Sequence, residues 1–258
     1  MPTKTYAQLL SLIQALCGVT FATIELGRVK ALLNRRAFTA YRASNFWPRF
    51  LTVGEERSLF SGTTTASTSI VSGERYKIES VGDSDFTSIG AESNTVGTVF
   101  VATAAGSGTG TVNAYLGYIP YTESLKNDID TFVRVHKDKP YQSRSAQEFD
   151  YYVDGNGVIL ISGSLNPSSA FVTYKKTNSA QYGDSTGETT EIPLEWFQYL
   201  AHATYSDYLR AEGQQEKAQL VDQEAELILN EELLRIDNQR TSNMIGTKIS
   251  TNSNYQMR

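Results

Sequence analysis

Hydrophobic positions recur with a helical period at both ends of the chain and alternate as in strands between them. Within residues 3–50, Tyr6, Leu9, Leu10, Ile13, Leu16 and Cys17 follow i, i+3, i+4 and i+7 steps, one apolar stripe of a helix. Gly18 is a natural stop. A second helix is expected from about Thr23 to Asn45, and Pro48 ends it because the ring cannot continue the hydrogen-bond ladder. The two helices are expected to pack as a hairpin. Residues 115–183 alternate instead. In EFDYYVDGNGVILISG, Tyr151 and Val153 lead into Asp154-Gly155-Asn156-Gly157, which would supply positive φ angles, and Val158–Ile161 leave it, the pattern of a β-hairpin. Phe171–Lys175 reads as a further strand. Tyr121–Val135 fits a strand or a short helix, and periodicity does not decide.

The helical period returns over residues 190–240. Pro193 suits a first turn, with Thr190 or Glu191 near the cap. LEWFQYLAHATYSDYLRAE reads as an aromatic-rich core helix, and Gly213 as its break or kink. From Gln214 to Arg240, Leu220, Leu227 and Leu234 recur every seven residues, with Val221, Ala225, Ile228 and Ile236 beside them. So few heptads predict a helix packed along one side rather than a coiled coil. Residues 241–258 are polar and read as an extended tail that orders against a partner.

Residues 61–114 stand apart: half of them are Ser, Thr or Gly, with strand-like runs at Arg75–Val81 and Val96–Thr103 and a turn at Gly106–Val112. That composition supports only a small β-rich domain inserted into a host. The fold class expected is therefore α+β: an N-terminal helical hairpin and long C-terminal helices around a β-rich middle, plus the insert. The host covers 1–60 and 115–240, the insert 61–114 and the tail 241–258.

Composition changes this picture little. The chain has 258 residues, 40% hydrophobic and 20% charged, enough for one or two cores. A net charge of −5 and a pI near 5.2 argue against a general nucleic-acid binder. The fifteen Tyr and eleven Phe suit interfaces and a β-rich core equally. The opening apolar stretch is interrupted by Gln8, Ser11 and Gln14, which favours an amphipathic helix over a signal peptide, and no apolar run is long enough to span a bilayer.

Charge distribution is more informative. Arg28, Lys30, Arg35, Arg36, Arg42 and Arg49 crowd a segment without acids, whereas residues 211–240 hold eight acids and three bases. Two solvated helix faces would explain this. The sharper expectation is that the basic segment meets the acidic helix of a neighbouring copy or partner, or faces DNA in a channel.

Candidate chemistry is sparse. Cys17 is the only cysteine and reads as a small buried residue. His136 reads as a solvated strand end or loop, and His202 as a hydrogen-bonded core histidine. Asp150, Asp154 and Asn156 resemble a fragment of a calcium loop with the wrong spacing, so a plain turn is expected. The glycines of Gly106–Gly110 lack the lysine and helix of a phosphate loop. No catalytic, cofactor-binding or metal-binding set is expected.

TFVRVHKDKPYQSRSAQEFDYYVDGNG, FVTYKKT and IPLEWFQYLAHATYSDYLRAEGQQEKA resemble the head-to-tail adaptors of tailed-bacteriophage necks, as does the order of elements outside 61–114. The insert is similar to a small module recurring in phage structural proteins, carried by Tyr76-Lys77-Ile78, Asp85-Phe86-Thr87 and Gly106–Thr111. The resemblance implies a non-enzymatic virion protein that joins the portal protein to tail or nozzle proteins. It would form a closed ring of about twelve copies around a channel that passes genomic DNA, with no membrane partner. It also implies that the C-terminal helix packs in the ring and that Met244, Ile245, Lys248, Ile249, Tyr255 and Arg258 dock the portal. An alternative is a tail or fibre-associated receptor protein, in which Tyr76, Phe86 and Phe100 of the insert would stack on glycans; those three are more simply the insert's own core.

Overall fold

The computed structural model describes residues 2–142, 147–161 and 167–255, with side chains as far as Gln239. The fold is α+β, four helices and several small antiparallel sheets, and it divides into two compact units. The first joins residues 1–49 to 178–258, and the second is 50–177.

The first unit opens on a strand absent from the sequence reading, β1 (Thr3–Thr5), which runs straight into α1 (Tyr6–Cys17). Thr5 and Gln8 close a capping box at this junction, the threonine hydroxyl accepting from the Gln8 N–H and the Gln8 carboxamide oxygen from the Thr5 N–H. Gly18, with φ of 71°, ends α1 in the left-handed conformation, as the stop signal predicts. α2 spans Thr23–Arg42, stopping a few residues short of Pro48. Its Glu25 carboxylate accepts from the Ala22 N–H at 2.8 Å. Trp47 then folds back, donating to the Ala40 carbonyl at 2.8 Å.

Among its described residues the second unit has ten strands in chain order: β2 (Leu51–Ser58), β3 (Phe60–Ala66), β4 (Arg75–Ser80), β5 (Val99–Val101), β6 (Thr111–Tyr115), β7 (Tyr118–Pro120), β8 (Ile129–His136), β9 (Asp150–Asp154), β10 (Gly157–Ile161) and β11 (Ser169–Lys176). Of the undecided stretch Tyr121–Val135, the part from Ile129 onward is a strand, and residues 121–128 are turn and irregular backbone. The buried apolar residues of β8, Ile129, Phe132 and Val135, fall three apart rather than two because its pairing with β11 is irregular at two points; it joins the sheet β2-β11-β8. The hairpin forms as predicted, with Asp154 opposite Gly157. Its turn differs in detail: of the four turn residues only Gly157 has positive φ. The glycine is needed because β10 also pairs with β7 there, and an added Cβ would land on the Ile119 carbonyl. Leu59, Ile119, Val158, Val172 and Tyr174 anchor the core of this half.

The strands β3, β6, β4 and β5 form a sheet of their own over a separate core that includes Ile78, Phe86, Phe100 and Val112. Its ends meet, since Phe60 lies opposite Tyr115.

The chain returns to the first unit through β12 (Glu191–Pro193), which pairs with β1, Lys4 opposite Ile192. α3 (Leu194–Ala211) follows directly, so Pro193 sits at the cap rather than in the first turn, and neither Thr190 nor Glu191 caps the helix. Both N-terminal helices pack chiefly on α3 instead of closing on each other as a hairpin. Leu9, Ile13, Leu33 and Leu200 are fully buried here, each stabilising by about 1.5–3 kcal/mol. Trp47 meets Trp196 edge-on at 5.7 Å.

Gly213, at φ 83°, breaks the helix, and α4 runs from Gln215 to Tyr255. Its backbone is thus helical through 241–255, where the sequence reading has an extended tail. No proline interrupts the sequence there, and extending a formed helix is cheaper than nucleating one. The face α4 presents to α3 is not the leucine row. Ala218, Ala225, Leu229 and Ile236 are buried, while Leu220, Leu227 and Leu234 are exposed. Small residues suit this contact because α3 and α4 run close together, close enough for the Ser206 hydroxyl to donate to the Ala218 carbonyl at 2.8 Å.

Candidate functional site

The basic segment of α2 lies against acids of its own chain. Arg36 is the centre of the arrangement. Its Nε and Nη2 each donate to one oxygen of Asp207 at 2.7 Å, and Nη2 also reaches Asp222 at 2.7 Å. Arg35 approaches the same Asp207 at 2.8 Å, and Arg210 bridges Asp207 and Asp222. The Asp207 side chain is 1% exposed, Arg36 14% and Arg35 63%.

Burial alone would push the Asp207 carboxyl upward, but hydrogen bonds and charge from Arg36 and Arg35 outweigh it and hold the group below its ordinary value. The Asp207 hydrogen bond likewise raises Arg36, against its own burial. A carboxylate saturated by guanidinium groups is a structural anion, neither a free base nor a nucleophile.

Other members of the basic set sit at the edges of this network. Lys30 pairs with Glu188 at 2.9 Å, and Arg28 with Glu212 at 3.2 Å. Arg42 stacks over the Phe38 ring at 4.6 Å, and Arg49 donates to the Pro2 carbonyl at 3.4 Å. Asn34 fastens the segment before β12, accepting from the Tyr182 N–H and donating to its carbonyl. The side chains expected to dock the portal, from Met244 to Tyr255, and Arg258 with them, lie outside the described residues.

The residues weighed for chemistry are placed as follows. His136 is buried at the end of β8, 6% exposed, instead of in a solvated loop. Strand β8 continues to it because it pairs with Phe171 of β11, and an isolated bridge to Glu148 covers its other edge. Burial lowers its pKa and Arg134 adds to that, with Glu148 opposing. His202 is partly buried, its Nδ1 3.5 Å from Glu224. Cys17 is partly buried beside Leu16, and burial pushes its thiol up to about 11 against the opposing charge of Lys217, far from a reactive thiolate.

Asp150 and Asp154 belong to the hairpin strand β9, and among the described residues no cluster of three or more His, Cys, Asp or Glu could hold a metal. The Gly106–Gly110 loop spends its N–H groups internally: Gly106 donates to Ser67, Thr109 to Asp83 and Gly110 to Ser84. An added Cβ at Gly108 or Gly110 would meet Asp83, Ser84 or Val81. Tyr76, Phe86 and Phe100 are at most 5% exposed and form the insert's core. Among the described residues, no helix is long and apolar enough to cross a membrane.

One cluster had no signal in the sequence. Arg57 on β2 is fully buried, donating to the Asn127 carbonyl at 2.6 Å and the Tyr174 hydroxyl at 2.7 Å. It lies 2.8 Å from Glu55 and 3.6 Å from Glu123, with its guanidinium 4.9 Å over the Tyr174 ring. Beside it a polar cleft of about 330 Å³ is lined by Glu56, Ser58, Lys77, Glu123, Lys126 and Ser169 among others. Lys126 is engaged by Glu123 at 3.0 Å and by the Glu56 carbonyl. Arg57 Nε and Nη1 and Glu123 Oε2 are buried without a hydrogen bond, so the Nη2 bonds and the charges of Glu55 and Glu123 hold the guanidinium. Comparison of the chain with protein-family models, curated proteins and solved structures finds no match.

Proposed function

We propose that this chain is a non-enzymatic structural subunit of a tailed-bacteriophage virion, a head-to-tail adaptor that forms a ring in the neck between portal and tail. The C-terminal helix and the residues beyond it dock the portal and neighbouring subunits. One observation carries the reading: helices from both ends of the chain gather on α3 into one unit, from which α4 continues. The same order, two helices, a β-rich middle and long C-terminal helices, is that of the adaptors the sequence resembles. In this reading the helical unit builds the ring, and the β-rich unit with its inserted sheet is what the ring carries.

The charge pattern favours subunit contact over DNA. Four of the six bases have acid partners inside the chain, so little positive charge is left for a channel wall. Labelling the chain in intact particles and counting its copies tests the reading; a position outside the neck would sink it. Removing residues 241–258 should leave full heads and separate tails. If heads and tails still join without them, those residues do not dock the portal.

A further inference from the structure

Two rows of exposed side chains in the helical unit share one spacing. On α2, Ile24, Ala31 and Phe38 recur every seven residues and all are exposed, Ile24 at 90% and Phe38 at 51%. Four residues after each stands an exposed arginine: Arg28, Arg35 and Arg42. On α4, Leu220, Leu227 and Leu234 keep the same seven-residue step at 69%, 65% and 61% exposure. Four residues after the first two stand exposed Glu224 and Glu231. Single exposed leucines are ordinary on a protein surface. Three in one row, on the side of α4 opposite buried Ala218, Ala225 and Ile236, make an interrupted apolar row, one leucine every second turn with exposed Gln223, Glu224, Asn230 and Glu231 between them.

One apolar side chain every second turn gives two helices a few anchor points side by side, and the charges between and beside those anchors choose the partner. Two α4 rows would set Glu224 and Glu231 against their own kind, and two α2 rows would do the same with arginines. Only the mixed pairing brings opposite charges together.

We infer that the Ile24–Ala31–Phe38 row of α2 docks on the Leu220–Leu227–Leu234 row of α4 in a second copy of this chain, arginines facing glutamates. This rests on the ring reading and specifies its contact. Two different faces of one chain make a heterologous contact, the kind that repeats around a closed ring. Arg28, Arg35 and Glu224 already have partners within the chain, Glu212, Asp207 and His202. The Arg28–Glu212 pair is exposed on both sides and re-pairs at little cost, and Arg35, 63% exposed, can leave an Asp207 that Arg36 and Arg210 still hold.

The test uses the full chain carrying Cys17→Ser, with Phe38→Cys in one preparation and Leu227→Cys in another, circular dichroism confirming that both fold. Mixed, concentrated and oxidised, they should give a disulfide-linked dimer in at least roughly tenfold excess over either preparation alone, because like charges oppose the homotypic pairings. In sedimentation, Phe38→Asp and Leu227→Asp should each stop self-association. Their mixture should form a dimer and nothing larger, since one good row remains on each. Dominant cross-linking of Leu227→Cys copies to one another, or no cross-link between copies at all, overturns the inference. Labelling of the particle reads the neck position separately. A chain that maps to the neck yet fails to cross-link loses this contact alone; one that cross-links but maps elsewhere loses the adaptor reading alone.

Discussion

Asp207 gathers three guanidinium groups at a site almost closed to water. Burying a charge is tolerable only when such partners replace its hydration, so removing it leaves Arg36 desolvated and half-paired. Asp207→Ala should cost about 3 kcal/mol in a urea titration, the low end for a broken buried pair because Asp222 still holds Arg36. Arg35→Ala, at a side chain 63% exposed, should cost less than about 1 kcal/mol. Equal effects from the two would show that burial does not govern this network. The sequence displays all of these charges, and the basic run was legible as a pattern. Their pairing was not, because Arg36 and Asp207 lie 171 positions apart. Arg57 was less legible still: in LTVGEERS a buried arginine looks like its exposed neighbours.

At the scale of elements, the inserted sheet has its own core, and its two ends are paired neighbours, Phe60 opposite Tyr115. Paired residues in an antiparallel ladder are only about 4.5–5.5 Å apart, so a two-residue turn can replace everything between them. Deleting residues 61–114 and joining the ends with Asn-Gly should leave a cooperative thermal transition and the far-ultraviolet helix signal of the host. Loss of cooperativity would mean that the host relies on the insert. The hairpin at Asp150–Ile161 was readable because both its alternation and its turn residues are local. The pairing of β1 with β12 was not, since two three-residue strands far apart in the chain carry no periodic signal. The capping box at Thr5–Gln8, a Thr-x-x-Gln spacing, is the one local cue that marked where β1 gives way to α1.

For the whole molecule, acid should act in two pH windows, one set by a histidine and one by carboxylates. His136, in the β-rich unit, has a folded pKa below its ordinary value, so the unfolded state takes up the proton first. Its contribution is full above the unfolded value, about 6.5, and declines as pH falls from there toward the folded value. Asp207, in the helical unit, is also lowered. Its contribution is full above about 3.9 and is lost as pH falls through the folded value. Stability measured from pH 8 to pH 3 should therefore fall in two steps. His136→Gln should remove the upper step and leave the lower one; persistence of the upper step would assign it to another group.

The sequence by itself determined the α+β class, the hairpin, the main helical stretches and the β character of residues 61–114. These follow from side-chain period, turn residues and composition, all properties of short stretches. Tertiary packing decided which face of each helix is covered. The leucine row of α4 has the regular seven-residue period, yet α3 approaches so closely that Ala218 and Ala225 take the contact and the leucines are left outside. It also decided that most of the basic helix is neutralised at home, because only the fold brings Asp207, Asp222, Glu188 and Glu212 beside it. Both outcomes turn on distances between segments far apart in the chain, which no local pattern encodes.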